Sequence, residues 1–241
     1  MTAPLVDLTG KVALITGAAR GQGAAEAALF VELGATVVLT DVLGDEVQEV
    51  ARGLGERATA HVHDTGSGAA WRTVAETVRA DHGRLDVLVN NAGIYRTGDI
   101  VEWPEDELRA LFDINLIGPL LGLQAMVPLM PRGSSVVNVA SISGLRGHGG
   151  ALPYATSKWG LRGASRSAAR ELGPRGIRVN CVCPGSVDTP MIASSTMDLS
   201  HLPVPRRGTA HEVAAMVAFL ASDASAYTTG ADFVVDGGAT A

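Results

Sequence analysis

The stretch 12-VALITGAARGQG-23 decides the fold. Val12 to Thr16 form an apolar run of the length of one buried strand. Gly17, Gly21 and Gly23 follow, and then the helix-like AAEAALFVELG of 24–34. Glycines let the backbone turn sharply and come close to a ligand, and a fresh helix N-terminus offers unpaired N–H groups and partial positive charge to an anion. The spacing is G-x-x-x-G-x-G rather than the commoner G-x-G-x-x-G. A glycine cluster alone also describes a plain tight turn. Its place between the first strand and the first helix favours a phosphate cradle.

Further apolar runs rich in Val, Ile and Leu recur along the chain: ATVVLTD (35–41), ATAHVH (58–63), DVLVNN (86–91), SVVNVAS (135–141), IRVNCVCP (177–184) and DFVVDGG (232–238). Helix-like segments separate them. Strands that alternate with helices imply right-handed βαβ units and a parallel sheet covered on both faces. The expectation is a doubly wound α/β, Rossmann-type fold with a seven-stranded parallel sheet, built as one domain over 1–241. Ligands of such folds sit at the carboxyl ends of the strands.

The bulk composition excludes several roles. The chain has 241 residues, is 46% hydrophobic, and carries a net charge of −6 without a basic patch. That disfavours nucleic acid and anionic membranes as partners. The N-terminus lacks a basic segment followed by an apolar one, so no signal peptide is expected. The most apolar window, 114–130, is interrupted by Asn115, Gly118, Pro119, Gln124 and Pro128, and reads as too broken to span a bilayer. A cytoplasmic protein is the default expectation. Cys181 and Cys183 alternate in a strand, face one side, and read as buried thiols. His61 and His63 also alternate on a strand, but no third ligand stands at metal spacing, so no metal is expected.

The second strand ends in Asp41, 18 residues after Gly23. A carboxylate there accepts hydrogen bonds from the adenosine ribose and repels a 2′-phosphate, which favours NAD over NADP. A turn or helix-capping role is the alternative. Arg20 pulls toward a 2′-phosphate. Asp64, just after the third strand, is placed to meet the adenine or to hold a turn.

Thr16-Gly17-x-x-x-Gly21-x-Gly23, Asn90-Asn91-Ala92-Gly93, Asn115, Ser141, Tyr154-x-x-x-Lys158 and Pro184-Gly185 occur in that order. Together they resemble the short-chain dehydrogenase/reductase family over about Leu8 to Gly238. The stretches SKWGLRG, ELGPRGIRVN and YTTGADFVVDGG look most similar to its bacterial NAD-dependent hydroxysteroid dehydrogenases. Two positions depart from the family pattern: Ala140 replaces a small polar residue, and Gln22 stands where an apolar residue is usual.

The pair in 154-YATSK-158 is four residues apart, hence on one helix face. Alone it reads as a surface packing pair. In the ordered set it supplies proton chemistry. A phenol titrates near 10, so it is a poor base at neutral pH unless a fixed cation favours phenolate. Lowering it by about 2 to 3 pH units corresponds to roughly 3 to 4 kcal/mol. Tyr154 is thus expected to be the general acid/base, with Lys158 and the positive nicotinamide ring of NAD⁺ lowering its pKa.

The resemblance implies further roles. Lys158 would hold the nicotinamide ribose, Ser141 the substrate oxygen, and Asn115 a water in a proton relay. Gly17, Arg20, Gly21, Gln22, Gly23, Asp41, Asp64, Asn91, Ala92 and Gly93 would line the adenosine and pyrophosphate end, with Asn90 shaping the loop. Val187 and Thr189, after Pro184-Gly185, would grip the carboxamide. A short lid is expected over 190–208, and Leu145, Leu152, Val187, Met191 and Ile192 would form apolar walls around the substrate, with His148 the main polar exception.

Apolar walls suit a hydrophobic ligand. The expected activity is reversible oxidation of a bulky apolar secondary alcohol to its ketone with NAD, a hydroxysteroid or an aryl or alicyclic alcohol. The rivals are an NADPH-dependent 3-oxoacyl-carrier-protein reductase and a non-catalytic dinucleotide-binding protein. Small residues on the helix after Pro153, and an apolar surplus on the helix before it, suggest a subunit interface; the resemblance makes the assembly a homotetramer.

Overall fold

In the computed structural model, which describes residues 5–193 and 196–241, all seven apolar runs are strands. They are β1 (Val12–Thr16), β2 (Thr36–Asp41), β3 (Ala58–Val62), β4 (Val87–Asn90), β5 (Ser135–Val139), β6 (Arg178–Pro184) and β7 (Asp232–Val235). The sheet is parallel throughout, in the order β3-β2-β1-β4-β5-β6-β7. The last strand stops short of the expected Gly238. Asp236 turns the chain there, accepting hydrogen bonds from the Gly238 N–H and the Thr240 hydroxyl.

The helices are α1 (Gly21–Glu32), α2 (Gly44–Leu54), α3 (Gly68–His82), α4 (Glu105–Phe112), α5 (Gly118–Met126), α6 (Leu152–Leu172) and α7 (Ala210–Ala221). Alternation along β1 shows how they cover the sheet. Ala13 and Ile15 pack with Phe30 of α1 and Val213 of α7, whereas Leu14 packs on the other face with Trp71 of α3 and Met126 of α5. A strand buried on both sides must be apolar at successive positions, which is why these runs do not alternate with polar residues.

A π-helical turn, Asp113–Ile117, joins α4 to α5. The continuous run Glu105–Leu129 is long and apolar enough, by length and composition alone, to cross a membrane. That differs from the expectation that its prolines and glycines break it too often. Here it packs against α3 and α6, and Trp71 fills the space that Gly122 leaves, since a Cβ at 122 would lie 2.8 Å from the indole.

The two cysteines are buried and unpaired. His63 is buried, its Nδ1 lies 3.1 Å from the Thr40 hydroxyl, and its ring meets Trp71 edge-on. Among the described residues no cluster of three or more metal-ligating side chains occurs.

One core position is polar without a partner. Glu26, on the buried face of α1 beside Ala27 and Phe30, makes no hydrogen bond through either carboxyl oxygen. Burial pushes its pKa from 4.5 up to about 8. The unfolded chain ionises at the lower value, so folding loses free energy progressively as pH rises from 4.5 to about 8. Glu26→Met keeps the length and removes the carboxyl. It is expected to raise the urea midpoint, with a gain larger at pH 8 than at pH 5; a gain independent of pH would contradict this reading.

Candidate active site

The strand order reverses between β1 and β4, and the two strand ends are tied together there. The Thr16 hydroxyl accepts from the backbone N–H groups of Asn91 (3.1 Å) and Ala92 (3.0 Å). The Asn91 amide donates back to the carbonyls of Thr16 and Gly17. Asn91, expected beside the cofactor, therefore spends its side chain on holding the glycine turn. A Cβ on Gly23 would lie 2.3 Å from the Gly17 carbonyl oxygen and 2.6 Å from the Asn91 amide nitrogen. The third glycine is required for this close crossing.

The turn itself fits a dinucleotide phosphate. Gly21 adopts φ +60°, and no side chain caps the first turn of α1, so its N-terminal N–H groups face the cleft without a side-chain acceptor. Across the cleft, a Cβ on Gly21 would touch Thr189 at 3.5 Å. Asp41, at the end of β2, accepts from the N–H groups of Ala19 (3.0 Å) and Leu43 (3.1 Å). It braces the turn, and a carboxylate with two such bonds retains lone pairs for a ribose. Arg20 is exposed. Asp64 is exposed as well and accepts from the Gly66 N–H at 2.9 Å, the turn role.

The four residues expected to be catalytic converge at the carboxyl end of β5. Ser141 begins a short 3-10 turn and accepts from the Ser143 N–H at 3.1 Å. Tyr154 and Lys158 project from the first two turns of α6, both buried. The ammonium of Lys158 donates to the Val139 carbonyl at 2.8 Å and stands 5.8 Å from the Tyr154 ring centre. Asn115 lies in the π turn, a feature common at functional sites. Its side chain grips the backbone of Ile94 in both directions (2.8 and 2.9 Å) and donates to Ser157 at 3.3 Å. Its side chain is thus committed to Ile94 and Ser157.

The electrostatics correct one expectation. Burial pushes the Tyr154 phenol up to about 12, against a smaller lowering by the Ser141 hydroxyl. Burial also pulls Lys158 down to about 8. Proximity to Lys158 does not lower the phenol in the protein by itself, because loss of solvation outweighs a cation already bonded to a carbonyl.

Of these four, Ser141 and Tyr154 open into a cavity of about 670 Å³, with Lys158 and Asn115 behind them. Gln22, Pro184, Gly185, Val187, Thr189, Met191, Ile192 and His148 line it as expected. Gln22 carries a buried side-chain oxygen without a partner. Leu145 and Leu152 do not line it: Leu145 packs with Ala140 and the two cysteines, and Leu152 is exposed at the start of α6. The expected lid over 190–208 frames one side, except that residues 194 and 195 lie outside the described residues. Its base is pinned where Asp188 N–H donates to the Gly208 carbonyl and Gly208 N–H to Ser186.

Several lining residues escaped the sequence reading. Tyr95 stacks edge-on against Tyr154 at 4.9 Å between ring centres and reaches His148 Nε2 at 3.5 Å. Ser143 meets His148 Nδ1 at 2.7 Å. Burial and the charge of Arg146 lower the His148 pKa. Arg96 and Arg146 also line the wall. The one sequence signal for Tyr95 was its place two residues after the Asn-Ala-Gly turn.

Comparison with known proteins agrees with this geometry. The family model described as "Enoyl-(Acyl carrier protein) reductase" matches residues 17–240. A trans-4-hydroxycyclohexanecarboxylate dehydrogenase of Sinomonas cyclohexanicum is 42% identical, over 96% of this chain and 93% of that one. A 3-alpha-(or 20-beta)-hydroxysteroid dehydrogenase of Mycobacterium bovis is 43% identical, over 97% and 91%. A 3-oxoacyl-[acyl-carrier-protein] reductase of Thermotoga maritima is 41% identical, over 96% and 98%. Among solved structures, a metagenomic blue fluorescent protein in complex with NADPH superposes with TM-score 0.93 at 37% identity, over 98% of this chain and all of that one.

Proposed function

The chain belongs to the short-chain dehydrogenase/reductase family and is an oxidoreductase of secondary alcohols and ketones; from that premise we propose that it interconverts a bulky secondary alcohol and its ketone with NAD(H). The observation that carries this reading is that the Tyr154 phenol and the Ser141 hydroxyl line one cavity, with the buried Lys158 ammonium 5.8 Å from the Tyr154 ring. The names of the hydroxycyclohexanecarboxylate and hydroxysteroid relatives support cyclic substrates.

In this reading the substrate oxygen sits between Ser141 and Tyr154. Bound NAD(H) supplies the hydride donor or acceptor. The glycine turn and the N-terminus of α1 would hold its pyrophosphate, Asp41 its adenosine ribose, Lys158 the other ribose, and Val187 and Thr189 its carboxamide edge. Tyr154 gives a proton to the carbonyl oxygen during reduction and takes it back during oxidation. A phenol held near 12 favours the donor role, so oxidation gains rate as pH rises. Asn115 and Lys158 pass the proton outward through water.

Tyr154→Phe is expected to lower turnover by at least about a hundredfold, the scale of a positioned acid/base, while fluorescence titration still detects NADH binding. Near-normal rates in that variant would refute the mechanism.

Asp41 supports NAD over NADP through charge repulsion near the 2′ position. Because Asp41 also braces the glycine turn, Asp41→Ala is expected to weaken both cofactors but NAD more, lowering the NAD/NADP affinity ratio. Titration of wild type and variant with each cofactor measures this. An unchanged ratio would transfer the selector role to Arg20.

The second reading, an NADP-linked 3-oxoacyl-carrier-protein reductase, draws support from the Thermotoga relative and the NADPH-bound structure. Initial rates with NADH and NADPH on cyclic ketones and on 3-oxoacyl thioesters separate the two.

The assembly is proposed as a homotetramer. Ile117 and Leu120 near α5, and Leu152 and Trp159 on α6, expose apolar surface that the sheet leaves uncovered. Light scattering at micromolar concentration is expected to give a four-chain mass, and a monomeric mass would exclude it.

A further inference from the structure

The cavity differs from an apolar steroid slot in one respect. Its lining includes two arginines, Arg96 and Arg146, but no aspartate or glutamate. In a chain of net charge −6 that is a local excess of positive charge. The two arginines are not equivalent. Arg96 stands 3.6 Å from Glu107, which offsets its charge. Arg146 has no acidic partner among the described residues; its guanidinium donates one hydrogen bond among them, from Nη1 to the Ala239 carbonyl at 3.0 Å. That bond fixes one edge of the guanidinium and leaves other N–H groups for a ligand, since the group carries five donors.

The surroundings of Arg146 are ordered as well. Gly147 and Gly149 flank His148, whose ring is held between Ser143 and Tyr95. A neutral imidazole there adds a polar contact without a competing negative charge. Across the cavity, Met191, Ile192, Met197 and Leu202 present an apolar wall. Ser141 and Tyr154 occupy the reacting corner. The cavity is therefore built for a molecule with three parts: an oxygen for the Tyr154–Ser141 corner, an apolar body for the lid, and an anionic group for the Arg146 edge.

We infer that Arg146 recognises a carboxylate on the substrate, so that this enzyme selects bulky, cyclic hydroxy acids and their oxo acids over the corresponding neutral alcohols and ketones. This rests on the oxidoreductase reading above and adds the residue that reads the charge. A planar guanidinium suits a carboxylate because two parallel N–H groups match its two oxygens. The selection is electrostatic and geometric, so a uniformly apolar substrate gives up the charged contact while keeping the lid.

The test compares 4-oxocyclohexanecarboxylate with its methyl ester as substrates of the whole enzyme with NADH, in wild type, Arg146→Gln and Arg146→Lys. The expected result is a wild-type kcat/KM for the acid above that for the ester, an acid-to-ester ratio that falls about tenfold or more in Arg146→Gln, and partial recovery in Arg146→Lys. A ratio unchanged by Arg146→Gln overturns the inference, because an arginine that merely anchors Ala239 would affect both substrates alike. Calorimetric titration of the enzyme–NADH complex with non-reducible cyclohexanecarboxylate runs alongside. Arg146-dependent binding without turnover of either ketone would uphold the carboxylate site and overturn the activity. Turnover of both ketones with no dependence on Arg146 would uphold the activity and overturn the site.

Discussion

Burying the Lys158 ammonium is the constraint around which the site is arranged. Removing such a charge from water costs several kcal/mol unless hydrogen bonds replace the solvent. The Val139 carbonyl, at the very end of β5, accepts one of its three N–H groups at 2.8 Å, and even so the pKa falls to about 8. The helix that carries the lysine has to lie close to the β5 end to reach that carbonyl. Gly144 allows it: a Cβ there would stand 2.9 Å from the Lys158 backbone. Gly93 clears the other side, where a Cβ would fall 3.2 Å from Asn115 and 3.5 Å from the ammonium. The same approach seats Tyr154 against Ser141, and the π turn of Asn115 closes the back of the site through Ser157 and Ile94. Two glycines and one carbonyl thus decide where the phenol points.

The second fixed point is the crossing of β1 and β4. A parallel sheet opens a crevice where the strand order reverses, and something must keep the two strand ends from separating. Here the Thr16 hydroxyl and the Asn91 amide do so with hydrogen bonds that cross the crevice in both directions. Asp41 adds a third tie by bonding Ala19 inside the glycine turn. These ties hold the phosphate-facing N–H groups in place independently of the catalytic corner. The Asn90–Asn138–Ser165 ladder links the two regions beneath the sheet ends.

Much of this was legible in the sequence because it rests on periodicity and on glycine. The seven strands announce themselves as apolar runs, and the ordered motif set points to Ser141, Tyr154, Lys158 and Asn115. What escaped depends on tertiary surroundings. The direction of the Tyr154 shift follows from burial among Leu111, Ala151, Ile94, Tyr95 and Trp103, which is not visible in the spacing Y-x-x-x-K. In the loop 144–150 no regular period exists, so Leu145 was assigned to the substrate wall although it turns inward to the cysteines, and Arg146, the next residue, faces the cavity instead. One residue of phase error exchanged an apolar wall for a cationic one. The role of Asn91 was misread for a related reason: a motif locates a residue but does not say which way its amide points.

The two walls of the cavity differ in how sharply they can discriminate. The lid contributes Met191 and Met197, unbranched thioethers that adapt to irregular shapes. Its base is fixed through Ser186, Asp188 and Gly208, and Val204 is tied to the Gly237 carbonyl, so its shape varies through side chains more readily than through the frame. An apolar wall of that kind separates substrates by only about 1 to 3 kcal/mol per methylene. The opposite wall holds His148 between Ser143 and Tyr95 and holds Arg146 on Ala239. The loop after Ser141 therefore supplies the polar side of the cavity, and the lid its apolar side.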